Sequence, residues 1–278
     1  MREKLLFDFG WMFHAGDIEI PMPVTKMPMY YHAKTERAQW GPAAYDYKEN
    51  SPVCTEHWEM VDLPHDYIIN QIPNPKNNNT LGYFKYHNAW YRNRFELDDS
   101  DRNKRITILF EGVATHATVY VNGCLMARNF CGYTSFEVDI TDVVRFNEDN
   151  VVAVYVEASD HEGWWYEGAG IYRHVWLIKT ELISVDLWGV WVNPQKIDDE
   201  NWKVSVETTL RNDSLDLAQV EVTSRILDSK GNIIAETITN QAEIPCKDKV
   251  KVDQMMEVKN PKLWDIDDPN LYAIRTII

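Results

Sequence analysis

Apolar and polar positions alternate with a period of two through most of the chain, and a helical period of 3.6 is sustained nowhere. Ile106–Phe110 and Thr118–Val121 are short β-branched and aromatic runs, and Phe136–Ile140 alternates apolar with polar side chains. Asn122-Gly123 supplies two residues that tolerate positive φ, which predicts a tight hairpin leading into Cys124–Arg128. Thr141–Val144 reads as one helical turn, Asn147–Asn150 as a loop, and Val151–Ala158 and Ile171–Ile178 as strands.

The rhythm changes near Glu181. Ser184–Val192, Trp202–Arg211, Ala218–Asp228, Ile233–Glu243, Val250–Val258 and Leu271–Ile278 follow as strands, with a turn at 229–232. Such spacing is that of an immunoglobulin-like sandwich, whereas the longer loops of the first part suit a jelly roll. The expected fold class is all-β: a jelly-roll β-sandwich over residues 1–181, then an immunoglobulin-like β-sandwich over 182–278.

Two stretches have no clean period. Residues 14–55 scatter proline, methionine and tyrosine, and are read as an ordered surface excursion whose aromatics dock on the sandwich. Residues 70–80 are a loop on composition.

Composition narrows the possibilities. A formal charge of −15 argues against nucleic acid, which needs a cationic footprint, and against an anionic membrane surface. No apolar run approaches the roughly 20 residues of a spanning helix, and the N-terminus has no signal-peptide core, so a cytoplasmic protein is expected. Cys54, Cys124, Cys131 and Cys246 form no C-x-x-C pair and are expected to be reduced, mostly buried thiols. Eleven Trp and fourteen Tyr suit both sandwich cores and sugar- or protein-binding surfaces, with the core expected to claim most of them.

The candidate chemistry is sparse. The eight histidines show no metal-ligand spacing, so no metal site is expected. His65-Asp66 has the composition of an acid–base pair, but after Leu-Pro it is expected to hold a loop through backbone hydrogen bonds. Asn147-Glu148 lies in the polar turn RFNEDN and reads as solvated. Gly168-Ala169-Gly170 permits a tight bend and close backbone approach, and Arg173 is expected to pair with an acid or cap loop carbonyls.

Seven segments in order nevertheless resemble the family 2 glycoside hydrolases, the group of β-galactosidases, β-glucuronidases and β-mannosidases. They are Phe7–Asp17, Leu63–Tyr67 (LPHDY), Gly82–Leu97, Leu109–Gly123, Gly132–Val143, Trp165–Leu177 (WYEGAGIYRHVWL) and Leu263–Tyr272. The resemblance implies a galactose-binding-like jelly roll, an immunoglobulin-like domain, and a (β/α)₈ barrel carrying an acid/base and a nucleophilic glutamate in a retaining mechanism. Such a pair stands about 5–5.5 Å apart, and a barrel takes about 250 residues. Residues 1–278 supply no such segment, so no catalytic residue is assigned and this stretch is expected to be inactive alone.

In relatives the loop before the signature reaches the sugar. Here that loop is Ser159–Glu167, and the substrate-binding candidates are Asp160, His161 or Glu162, as polar contacts, and Trp164, which either stacks on a sugar face or packs within the loop. Trp164 stands where several relatives place an aspartate or arginine. Trp165 is expected to pack. The implied partners are a β-galactoside or related glycoside and, in the full-length protein, a second copy of the chain; no cofactor is implied for this segment. The rival readings are a stand-alone carbohydrate-binding module without an enzyme and a scaffold or adhesion protein.

Overall fold

The computed structural model describes residues 2–18, 38, 41–51, 54–159, 163 and 165–278. It is all-β apart from two 3₁₀ turns, Asn79–Leu81 and Asp99–Asp101, and forms two compact units, Glu3–Lys179 and Thr180–Ile278, the latter joined by Arg2.

The first unit is built from β1 (Glu3–Leu6), β2 (Trp11–Ala15), β3 (Glu59–Val61), β4 (Ala89–Glu96), β5 (Lys104–Phe110), β6 (His116–Val121), β7 (Cys124–Asn129), β8 (Phe136–Asp139), β9 (Asp149–Glu157) and β10 (Val175–Glu181). A four-stranded sheet runs β1-β10-β5-β8 and a six-stranded sheet runs β3-β2-β4-β9-β6-β7. The period-two pattern decides what lies between them. Tyr91 and Phe95 of β4, Ile106, Ile108 and Phe110 of β5, Val119 of β6 and Val152, Val154 and Val156 of β9 are buried in one core with Trp11 and Phe13. The β6–β7 hairpin turns on Asn122 (φ 51°) and Gly123 (φ 85°), as the dipeptide requires.

The intervening side chains of β4 and β9 point to the other face of the six-stranded sheet, where Trp90 and Ala153 form a second cluster with Ile18, Ala43 and Trp58. The described part of the excursion docks on this face. Arg92, wholly buried, holds it: the guanidinium donates to the Glu49 carboxylate, to the Pro42 carbonyl, to the Ala44 carbonyl at 3.2 Å and to the Tyr47 carbonyl at 3.0 Å. Desolvation lowers the pKa of Arg92, and the Glu49 carboxylate opposes that shift. Residues 14 and 15 belong to β2 rather than to the excursion.

The second unit comprises β11 (Ile183–Lys196), β12 (Asn201–Asn212), β13 (Ala218–Leu227), β14 (Ile233–Ile244), β15 (Asp248–Lys259) and β16 (Ala273–Ile277). Sheets β11-β12-β15 and β14-β13-β16 enclose two apolar clusters, one around Val206, Ile226 and Met256 and one around Leu210, Val222 and Ile244.

Three expectations are corrected. Ile171–Ile178 is not a strand throughout: β10 begins at Val175, and the Ile171 carbonyl instead accepts the His65 N–H at 2.8 Å. The cysteines form no disulfide but are not buried, with Cys131 and Cys246 exposed and Cys54 and Cys124 half-buried. Trp165, expected to pack, is 62% exposed.

Candidate functional site

The LPHDY loop and the signature are woven together before either reaches solvent. The Asp66 carboxylate accepts the N–H of Ile68 at 2.9 Å, the N–H of Ala169 at 3.1 Å and the Tyr166 hydroxyl at 2.6 Å. Main-chain bonds join Tyr67 N–H to the Ala169 carbonyl (3.1 Å), and Ala114 and Gly170 exchange a reciprocal pair at 3.0 and 2.9 Å. Burial, and then the Asp66 carboxylate, raises the Tyr166 pKa, so its proton stays in that bond. Asp66 is thus a structural carboxylate, as its loop position predicts.

His65 behaves likewise. Its Nδ1 lies 2.8 Å from the Tyr91 hydroxyl, which also receives the Ile171 N–H. Burial lowers the His65 pKa, which favours the neutral imidazole, and raises that of Tyr91, which keeps its proton available for the contact. The glycines make the weave possible. A side chain at Gly168 would meet Asp66 Oδ2 at 2.6 Å, and one at Gly170 (φ +126°) would run into the His65 carbonyl and Tyr91 hydroxyl. Arg173 is exposed; it donates to the Glu111 carbonyl at 3.5 Å and lies over the Tyr172 ring, the capping role expected of it.

The loop between β9 and the signature is clipped at both ends by one short segment. Asn88 accepts the N–H groups of Ala158 (3.0 Å) and Ser159 (3.1 Å) on its side-chain oxygen. Two residues earlier, the Tyr86 hydroxyl accepts the N–H groups of Glu167 (3.1 Å) and Gly168 (3.2 Å). Between these clips the described residues present Trp165. A Cβ built on Gly163 would touch the Trp165 ring at 3.0 Å and Glu167 Oε1 at 3.1 Å, so ring and carboxylate share one patch. An exposed indole beside a carboxylate offers an apolar face and a hydroxyl acceptor.

Asp160, His161 and Trp164 lie outside the described residues, as does Glu162. Glu167 was not among the predicted contacts. No local pattern marks Trp165: residues 165 and 166 lie outside any strand, and Tyr166 turns inward onto Asp66 and Phe84 through partners distant in sequence. Glu148 is a solvated turn residue paired with Arg145 at 3.4 Å. No group of three or more metal-ligating side chains converges, and no helix is long and apolar enough to cross a membrane, among the described residues.

A galactose-binding-like β-sandwich followed in the chain by an immunoglobulin-like one is the class this architecture defines. The family model "Glycosyl hydrolase 2 galactose-binding domain-like" matches residues 32–170, and "Glycosyl hydrolases family 2" matches residues 185–278. The chain belongs to glycosyl hydrolases family 2. It is 34% identical over 278 residues to the β-galactosidase BoGH2A of Bacteroides ovatus, covering 99% of this chain and 29% of that protein. It is 28% identical over 250 residues to a β-glucuronidase of Formosa agariphila, covering 80% of this chain and 25% of that protein. The crystal structure of a family 2 member from Bacteroides cellulosilyticus superposes with a TM-score of 0.82 at 29% identity, over 99% of this chain and 34% of that one. The chain therefore spans about a third or less of each of these three relatives.

Proposed function

We propose that these residues are the N-terminal portion of a glycoside hydrolase acting on terminal β-galactosides with retention of configuration. In this reading the two catalytic glutamates belong to polypeptide outside residues 1–278, and the loop 159–167 forms one wall of the non-reducing-end sugar pocket. The observation that carries the reading is the exposed Trp165 ring beside Glu167, set on a frame of Asp66, Tyr86 and Asn88 that fixes where the loop starts and stops. The resemblance to a protein named a β-galactosidase along 99% of this chain supports galactoside over glucuronide.

Two outcomes are expected. The purified 278-residue chain releases no nitrophenol from nitrophenyl β-galactoside above the blank; measurable turnover overturns the assignment of the glutamates. In an enzyme containing the complete reading frame, Trp165→Ala raises KM for the galactoside about five- to tenfold, about 1 kcal/mol of lost aromatic contact, with kcat changed less. An unchanged KM removes Trp165 from the pocket. Faster turnover of the β-glucuronide than of the β-galactoside would transfer the substrate assignment.

A further inference from the structure

The outer face of the six-stranded sheet carries a second constellation that the signature does not use. Strand register places Trp90 of β4 opposite Tyr155 of β9, Tyr155 opposite Thr118 of β6, and Thr118 opposite Arg128 of β7. These four side chains thus form one row across four strands, about 14 Å at the usual inter-strand spacing. A cavity of about 350 Å³ lies over the row, lined among the described residues also by Asp17, Ile18, Tyr120 and Glu157. Its size falls within the range of small-ligand sites, roughly 300–1,000 Å³.

The lining is mixed in a particular way. Trp90 packs against Tyr155 and Tyr120 at ring separations of 4.8 and 6.2 Å, giving an aromatic floor. Asp17 is fixed by the Tyr155 hydroxyl at 2.5 Å and the Asn88 amide at 3.0 Å. Glu157 and Arg128 are exposed at the rim, close enough to Tyr120 to act on its hydroxyl in opposite senses. Trp90 is 3% exposed and lies beneath the half-buried rings of Tyr120 and Tyr155, which are the aromatic surface a ligand can reach.

We propose that this cavity is a saccharide-binding site for a neutral sugar of about disaccharide length. Carboxylates accept sugar hydroxyls, the Arg128 guanidinium and Thr118 hydroxyl donate to ring and hydroxyl oxygens, and the aromatic floor covers a C–H face. The rim arginine disfavours an organic cation on the same rings, and the two carboxylates disfavour an anion. The Asn88 amide that steadies Asp17 belongs to the same side chain that clips Ala158 and Ser159, so the site adjoins the base of the signature loop. The inference does not depend on the galactosidase reading.

The test is a titration of the ¹⁵N-labelled 278-residue chain with lactose and with cellobiose, following the Trp90 indole cross-peak, assigned by its loss in Trp90→Phe. The expected result is a saturable shift of that cross-peak with at least one disaccharide. Arg128→Ala and Glu157→Gln, both at exposed positions and each checked by thermal melting for an unchanged fold, are expected to weaken binding about tenfold, as loss of a charge-assisted hydrogen bond does. Trp165→Ala leaves the Trp90 titration within about twofold, because the two sites are separate in this reading. No saturable shift with either sugar, unchanged affinity in both rim variants, or a shift produced by tetramethylammonium but by neither sugar overturns the proposal.

Discussion

Arg92→Leu should lower the stability of the first unit by about 3–5 kcal/mol, the range for breaking a buried ion pair from one side. The leucine stem would fill part of the space, but the Glu49 carboxylate, 10% exposed, and the carbonyls of Pro42, Ala44 and Tyr47 would lose a shared donor. A unit of this size should then melt roughly 6–20 °C lower. Arg92→Lys should fall between, since an ammonium keeps the charge but cannot span the same acceptors with a planar fork. Calorimetry on the three proteins decides the matter, with proteolysis near residues 42–49 reporting where the loss begins. A melting point within about 2 °C of the parent for Arg92→Leu would mean that the excursion is held by its apolar cluster alone.

The second large effect belongs to Gly170. An alanine there would bring its Cβ against the His65 main-chain carbonyl and within 2.5 Å of the Tyr91 hydroxyl, at a φ of +126° that L residues rarely adopt. Neither neighbour can yield cheaply: one is backbone, and Tyr91 is wholly buried. The expected cost exceeds about 3 kcal/mol, combining strain and overpacking. Gly168→Ala should cost less, because it meets the Asp66 carboxylate, a side chain that can swing at the expense of its bond to Ala169. Gly10→Ala meets nothing within 4 Å and carries only its positive φ of 73°, about 1 kcal/mol. Urea unfolding of the three variants tests the ranking Gly170, Gly168, Gly10. Gly170→Ala within about 1 kcal/mol of the parent would show that the signature can lift off the LPHDY loop without penalty.

The strands were legible because burial on one face writes a period of two into the sequence, and Asn122-Gly123 names its own turn. The two motifs were legible as well, and their structural character follows from side chains that hydrogen-bond backbone. Other features depend on partners distant in sequence. An arginine between Tyr91 and Asn93 reads as an ordinary outward strand residue, and nothing local says that residues 42–49 will cover it. The row Trp90–Tyr155–Thr118–Arg128 exists only once the register of four strands is fixed. Ile171–His174 carries strand-like residues but is fastened by single main-chain bonds to two different segments, Ile171 to His65 and His174 to Glu111, so pattern placed the strand start four residues early.

Tyr86 and Asn88 give the loop between them a practical property. They hold the chain at Ala158–Ser159 and again at Glu167–Gly168 through backbone N–H groups, which every residue type except proline provides. Residues 160–166 can accordingly be exchanged as a cassette, with sequences of other lengths taken from relatives and spliced at the two clips. A library confined to those seven positions would vary what the loop offers a sugar while the framework beneath it keeps its own bonds, apart from the one that Tyr166 makes to Asp66.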